Sequence, residues 1–174
     1  DIEDFGEQIA QSIKIFLNQQ NIKNLNNENP STGFRFWVEK ETNKKSIKID
    51  KSDTVRVGDS IAFRFESDVD GYLTIIDIQP GGDVSVLYPV GKDSNFIKGG
   101  VKYSIPAPED RFKITVGEPY GHDIIKAFFS TKRVDWLDKK NLEGDTTRGV
   151  NVTSTMLKES EWSTIQIDLE IVPK

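Results

Sequence analysis

Apolar residues recur at Ile2, Phe5, Ile9, Ile13 and Phe16, spacings of three and four that gather them on one face of a helix. Glu3, Glu7, Gln11 and Lys14 fall elsewhere around it, so the pattern predicts an amphipathic helix over 2–19, within an N-terminal segment of residues 1–20. Residues 21–33 are rich in Asn with Pro and Gly, a composition that favours turns and offers little to bury, and are expected to be a linker. A terminal helix ahead of a polar linker either closes a preceding domain or docks on the domain behind it.

From residue 34 the period changes to two. Phe34, Phe36 and Val38 alternate with Arg35, Trp37 and Glu39, and Ile61, Phe63 and Phe65 with Ala62, Arg64 and Glu66, as half-buried strands require. The denser run over 72–78 reads as a central strand. A Pro-Gly-Gly turn over 79–83 then returns the chain antiparallel along 84–88. Further strands are expected near 102–105, 112–116, 124–130 and 164–172. Short strands with polar turns make residues 34–174 a mainly β domain, an Ig-like two-layer antiparallel β-sandwich behind the helix. Its predicted core is Phe34, Phe36, Ile61, Phe63, Phe65, Ile75, Val86, Phe112, Ile114, Phe128, Ile165, Ile167 and Leu169. Residues 89–100 and 138–149 break the rhythm and are expected to be surface loops, the second mobile. A short helix over 153–160, capped by Ser154 or Thr155, is expected before the last strand.

Composition narrows the function more than the fold. The 174 residues carry 23 basic and 28 acidic side chains, a net charge of −5, which gives no field for nucleic acid or an anionic membrane. No apolar run approaches a spanning helix, and residues 1–20 lack a signal peptide's cationic and apolar regions, so a soluble chain without membrane insertion is expected. A first residue that is Asp rather than Met leads us to expect a chain that is either processed or, the favoured reading, cut from a longer protein. The lack of cysteine is compatible with cytosol and periplasm alike.

The chemical inventory is thin. His122, the single histidine, sits in a turn where a general base or metal ligand can lie, yet no second histidine, no cysteine and no Gly-x-Ser-x-Gly elbow accompanies it. A turn histidine capping backbone groups is the plainer reading. Asp68, Asp70 and Asp77 suggest calcium, but the twelve-residue ligand pattern is absent and turn formation by Asp68 and Asp70 explains them. Catalytic residues, cofactor and metal are therefore all expected to be none. Trp37, Trp136 and Trp162 with Tyr72, Tyr88, Tyr103 and Tyr120 are numerous enough for a sugar-stacking platform, although such rings are usually core. The Lys44, Lys45, Lys48 and Lys51 cluster is interrupted by acids and reads as a solvated face. Asn151-Val152-Thr153 matches the glycosylation pattern, which is expected to be fortuitous.

One stretch, 55–129, carries a resemblance. Val57-Gly58-Asp59 precedes a strand, Asp70-Gly71-Tyr72-Leu73 leads into Ile75-Ile76-Asp77, and a Gly-rich turn precedes Val86-Leu87-Tyr88-Pro89. Asn95, Ile97, Gly99 and Gly100 come before Tyr103-Ser104-Ile105-Pro106, and Pro119, Tyr120 and Gly121 before the final apolar run. The order resembles a bacterial domain-of-unknown-function family of β-sandwich type. That resemblance implies an accessory module of the kind found after caspase-like peptidase, protein kinase or envelope-assembly domains, and it brings no catalytic residues. The expected function is a non-catalytic accessory domain that mediates contact with an adjoining domain or a separate protein chain, with Phe96, Ile97, Trp136 and Leu137 as partner-binding anchors or, equally, pins on their own domain. A carbohydrate-binding module is the alternative, and a hydrolase with a hidden site the third reading.

Overall fold

The computed structural model describes residues 2–50, 53–91, 94–143 and 157–174. Two sheets form a β-sandwich behind one long helix. Helix α1 (Ile2–Asn24) outruns its periodic stripe by two turns before an Asn-rich stretch and Pro30 end it. The first sheet holds β1 (Arg35–Glu41), β2 (Ser46–Lys48), β4 (Ser60–Glu66), β8 (Tyr103–Ile105) and β9 (Ile114–Thr115), in the order β2-β1-β4-β8 with β9 also on β4. The second holds β3 (Thr54–Arg56), β5 (Gly71–Ile78), β6 (Val84–Tyr88), β7 (Phe96–Ile97), β10 (Gly121–Ser130) and β11 (Trp162–Val172), in the order β3-β11-β10-β5-β6 with β7 on β5. Pairing is antiparallel throughout the described residues, save that β3 runs parallel to the end of β11.

Alternation decides what lies between the sheets. Phe36, Val38, Phe63 and Phe65 from one sheet meet Leu73, Ile75, Ile125, Ala127, Phe129 and Leu169 from the other, and the rings of Phe34 and Phe129 stack at 5.1 Å. A second apolar cluster lies on the outer face of the second sheet, where Ile76, Val86 and Phe128 are covered by Ile22 of α1, by Val134 and Leu137, and by Leu142 of the short helix α2 (Lys139–Glu143). Burial on both faces explains the dense run of β5, where Leu73, Thr74, Ile75 and Ile76 are buried in succession.

Several expectations are corrected. Residues 21–33 do not lack buried groups: Ile22 is fully buried, Thr32 nearly so, and Asn27 and Asn29 reach the backbone of Glu159 and Trp162. The 138–149 loop begins with α2, whose Asn141 and Leu142 are buried, while residues 144–149 lie outside the described residues. Phe112 is exposed, because β9 starts two residues after it. Ile114, Ile165 and Ile167 are only half-buried, the last two because the sandwich stays open beside β11. Of the helix expected over 153–160, residues 153–156 lie outside the described residues, as does the Asn151 motif, and Glu159–Glu161 form a 3-10 turn. No helix among the described residues is long and apolar enough to cross a membrane.

Candidate functional site

The last two turns of α1 hold it to the sandwich, largely through polar tethers. Asn18 and Gln19 donate side-chain hydrogen bonds to the carbonyls of Asn141 and Leu142 at 3.2 and 2.7 Å, and Lys23 donates to the Gly82 carbonyl at 2.8 Å. From below, Lys126 of β10 reaches the helix C-terminus, its ammonium 3.0 Å from the Lys23 carbonyl and 2.9 Å from Asn26 Oδ1. A cation there answers the orphan carbonyls and the negative end of the helix dipole. Burial pushes the Lys126 ammonium down to about 8, the expected direction for a desolvated cation.

Docking in this way turns the apolar stripe outward. The inward residues are Gln11, Ile15, Asn18 and Ile22, and an α-helix turns about 100° per residue, which sets the stripe roughly 140° away from them. Ile13, Phe16 and Leu17 are accordingly 54, 56 and 55% exposed, while residues 4–10 stand clear of the sandwich with every residue exposed, Phe5 and Ile9 at 65 and 46%. An apolar face continuous over about 18 Å is unusual on a lone domain, where large apolar residues on the surface tend to be scattered.

The anchors named from sequence separate. Ile97 is fully buried and Leu137 nearly so, its carbonyl accepting from Thr74 Oγ1, and both therefore pin loops to their own domain. Trp136 is half-buried with its ring edge-on to Phe128, whose other neighbour, Trp162, stacks at 5.1 Å. Phe96 alone stays exposed, on the short edge strand β7 against Tyr72. Their loops break the strand period because they pack as lids, a distinction that periodicity does not make.

Trp37 lies on β1, in the other sheet from Trp162, with its Nε1 hydrogen donated to Glu39 at 3.0 Å. It lines an open groove of about 790 Å³ between β1 and β11. His122 is exposed on β10 opposite Glu170. Asp68 pairs with Arg35 and Asp70 accepts from the Gly99 amide, so the aspartates turn to different partners instead of closing local turns or converging. Among the described residues no group of three or more His, Cys, Asp or Glu is placed to hold a metal.

The third aspartate has an unforeseen partner. Asp77 on β5 and Asp123 on β10 face inward and share a side-chain hydrogen bond, each leaving a buried Oδ1 without a partner among the described residues. Burial, then the hydrogen bond and repulsion from Asp123, raise Asp77 to about 7; burial also raises Asp123. Since the ordinary value is 3.8, the folded state holds a proton that the unfolded state has lost, and stability falls as pH rises from about 4 through 7. Asp77→Asn should flatten that slope and, at pH 8, make the fold about 1–3 kcal/mol more stable than the native chain. Urea denaturation across pH 4–8 checks this, and a native slope in the variant would refute it.

No curated protein and no solved structure matches this chain. Residues 54–133, from β3 to just beyond β10, match a family model described as domain of unknown function (DUF4384), so the middle of the sandwich is similar to that family while α1, β1, β2 and β11 lie outside the matched residues.

Proposed function

We propose that this chain is a non-catalytic accessory domain that works by protein contact, and that the outward stripe of α1 is its contact surface. The observation that carries the reading is the exposure of Phe5, Ile9, Ile13, Phe16 and Leu17 as one stripe on a helix that is held to the sandwich by its C-terminal half and stands clear of it over residues 4–10. Interface energy concentrates in large apolar anchors whose removal does not unsettle the fold, and these five fit that description better than the buried Ile97 and Leu137. One histidine and no cysteine support the non-catalytic half of the reading. The resemblance to modules found behind other domains in larger bacterial proteins makes an adjoining domain of the same polypeptide the first partner to test.

A carbohydrate-binding role has weaker support. Trp37 is a single half-buried ring in its groove, and Trp136 and Trp162 are spent on Phe128, so the three indoles form no common platform.

A photo-crosslinking residue at Phe5, in the protein as its cells make it, tests the contact reading. The adducts should map to one discrete protein segment and disappear when Ile9→Ser, Ile13→Ser and Phe16→Ser are combined. Thermal stability should hardly change in that variant, because exposed substitutions usually cost within about 0.5 kcal/mol each. Adducts no more frequent than from the same probe at Gln19, on the docked side, would remove the proposal.

A further inference from the structure

The groove beside Trp37 is a second surface, independent of the α1 stripe. Its floor is the open side of the sandwich core, formed by Phe36, Ile49 and Ile167, with Trp37 lining it from the outer face of β1. Its rim carries Glu28, Asp50 and Asp168 against one cation, Lys48, an excess of two negative charges.

The wall is a strand edge with a gap in it. Near one end of β11, the Thr164 amide donates to the Asn27 carbonyl at 2.7 Å, and Asn27 Nδ2 donates to the Trp162 carbonyl at 2.8 Å. At the other end β3 pairs with Glu170, Ile171 and Val172. Because alternate residues of a strand direct their backbone groups to opposite edges, Gln166 and Asp168 point the same way as Thr164, away from β10. Among the described residues nothing bonds to those outward amides and carbonyls. The interval from Thr164 to Glu170 spans about 20 Å of extended chain, with the unpaired groups at its centre.

We propose that this groove is a strand-addition site for a short extended peptide segment bearing lysine or arginine. Backbone groups of the segment pair with Gln166 and Asp168, alternate side chains lie on Trp37 and Ile167, and the intervening cations sit among Glu28, Asp50 and Asp168. Open strand edges take peptides by main-chain pairing, while flanking pockets and charges select the side chains. The acidic rim decides for a basic segment over an acidic one.

Two pools of acetylated seven-residue peptides provide the probe, with alternate positions drawn from Val, Ile, Thr and Tyr and the intervening ones from Lys and Arg in one pool or Asp and Glu in the other. The basic pool should shift the amide resonances of Gln166, Ile167 and Asp168 and the indole resonance of Trp37, and the acidic pool should leave them in place. Combining Asp50→Asn with Asp168→Asn, both exposed, should weaken the apparent affinity about tenfold or more without altering the melting temperature. No response to the basic pool at millimolar concentration, or an equal response to both pools, would overturn the proposal. A shift of the Trp37 indole by cello-oligosaccharides with none from peptide would give the groove to carbohydrate instead.

Discussion

Phe63→Ala should destabilise the domain by about 3–5 kcal/mol, a large part of the roughly 5–15 kcal/mol that holds a typical domain folded. Phe63 is 2% exposed at the centre of β4, between Val38 of β1 and Ile105 of β8, with its ring stacked on Phe36 at 6.0 Å. Truncation removes most of a ring from between two sheets whose backbone spacing is fixed by hydrogen-bonded neighbours, so the cavity cannot close. Urea denaturation reads the loss as a lower midpoint at unchanged slope. A change below about 1 kcal/mol would mean that the register of β4 is wrong, since a one-residue slip sends Phe63 to the opposite face.

Lys126→Ala should cost about 2–5 kcal/mol, with an effect concentrated in α1. The side chain is fully buried on the outer face of the second sheet, and its stem packs there as a methionine would. Its ammonium also answers the Lys23 carbonyl and Asn26 Oδ1, and leaving such acceptors bare accounts for about 1–3 kcal/mol of the loss. Lys126→Met separates the two contributions, restoring the stem without the hydrogen bonds. Hydrogen exchange should then report faster amides over residues 18–24 in both variants, with the β10–β5 ladder slowed as in the native chain for Met alone. Unchanged exchange in the last turns of α1 would show that Lys126 does not anchor the helix.

That anchoring explains which parts of the fold the sequence made legible. The stripe Phe5, Ile9, Ile13 and Phe16 was evident from spacing, and so were β1, β4, β5, β6 and β10, since each alternates or runs apolar long enough to declare its period. The direction of the stripe was not. A helix is expected to dock by its apolar face, but α1 docks through Asn18, Gln19 and Lys23 to backbone carbonyls, and hydrogen-bonding side chains leave no periodic mark. Lys126 was hidden for the same reason inside the apolar run of β10, where a buried cation makes sense only once the end of a helix is known to lie above it. Short strands β2, β3 and β7 follow their partners more than their own residues, and the groove beside Trp37 exists because β3 covers only the end of β11. Of the four anchors, Ile97 and Leu137 proved to be core because a loop that packs as a lid has the same composition as one that offers its apolar residues outward.

Hydroxyl-radical footprinting inside the cells that make the protein, compared with the purified 174-residue chain, measures the central proposal directly. Phe5, Ile9, Ile13, Phe16 and Leu17 should oxidise readily in the isolated chain and at least about fivefold less in the cell, a difference expected of side chains covered at an interface core. Phe112 and Tyr120, exposed elsewhere on the sandwich, serve as internal references and should oxidise equally in both settings. Equal oxidation of the stripe in the cell and in isolation would contradict α1 as a contact surface.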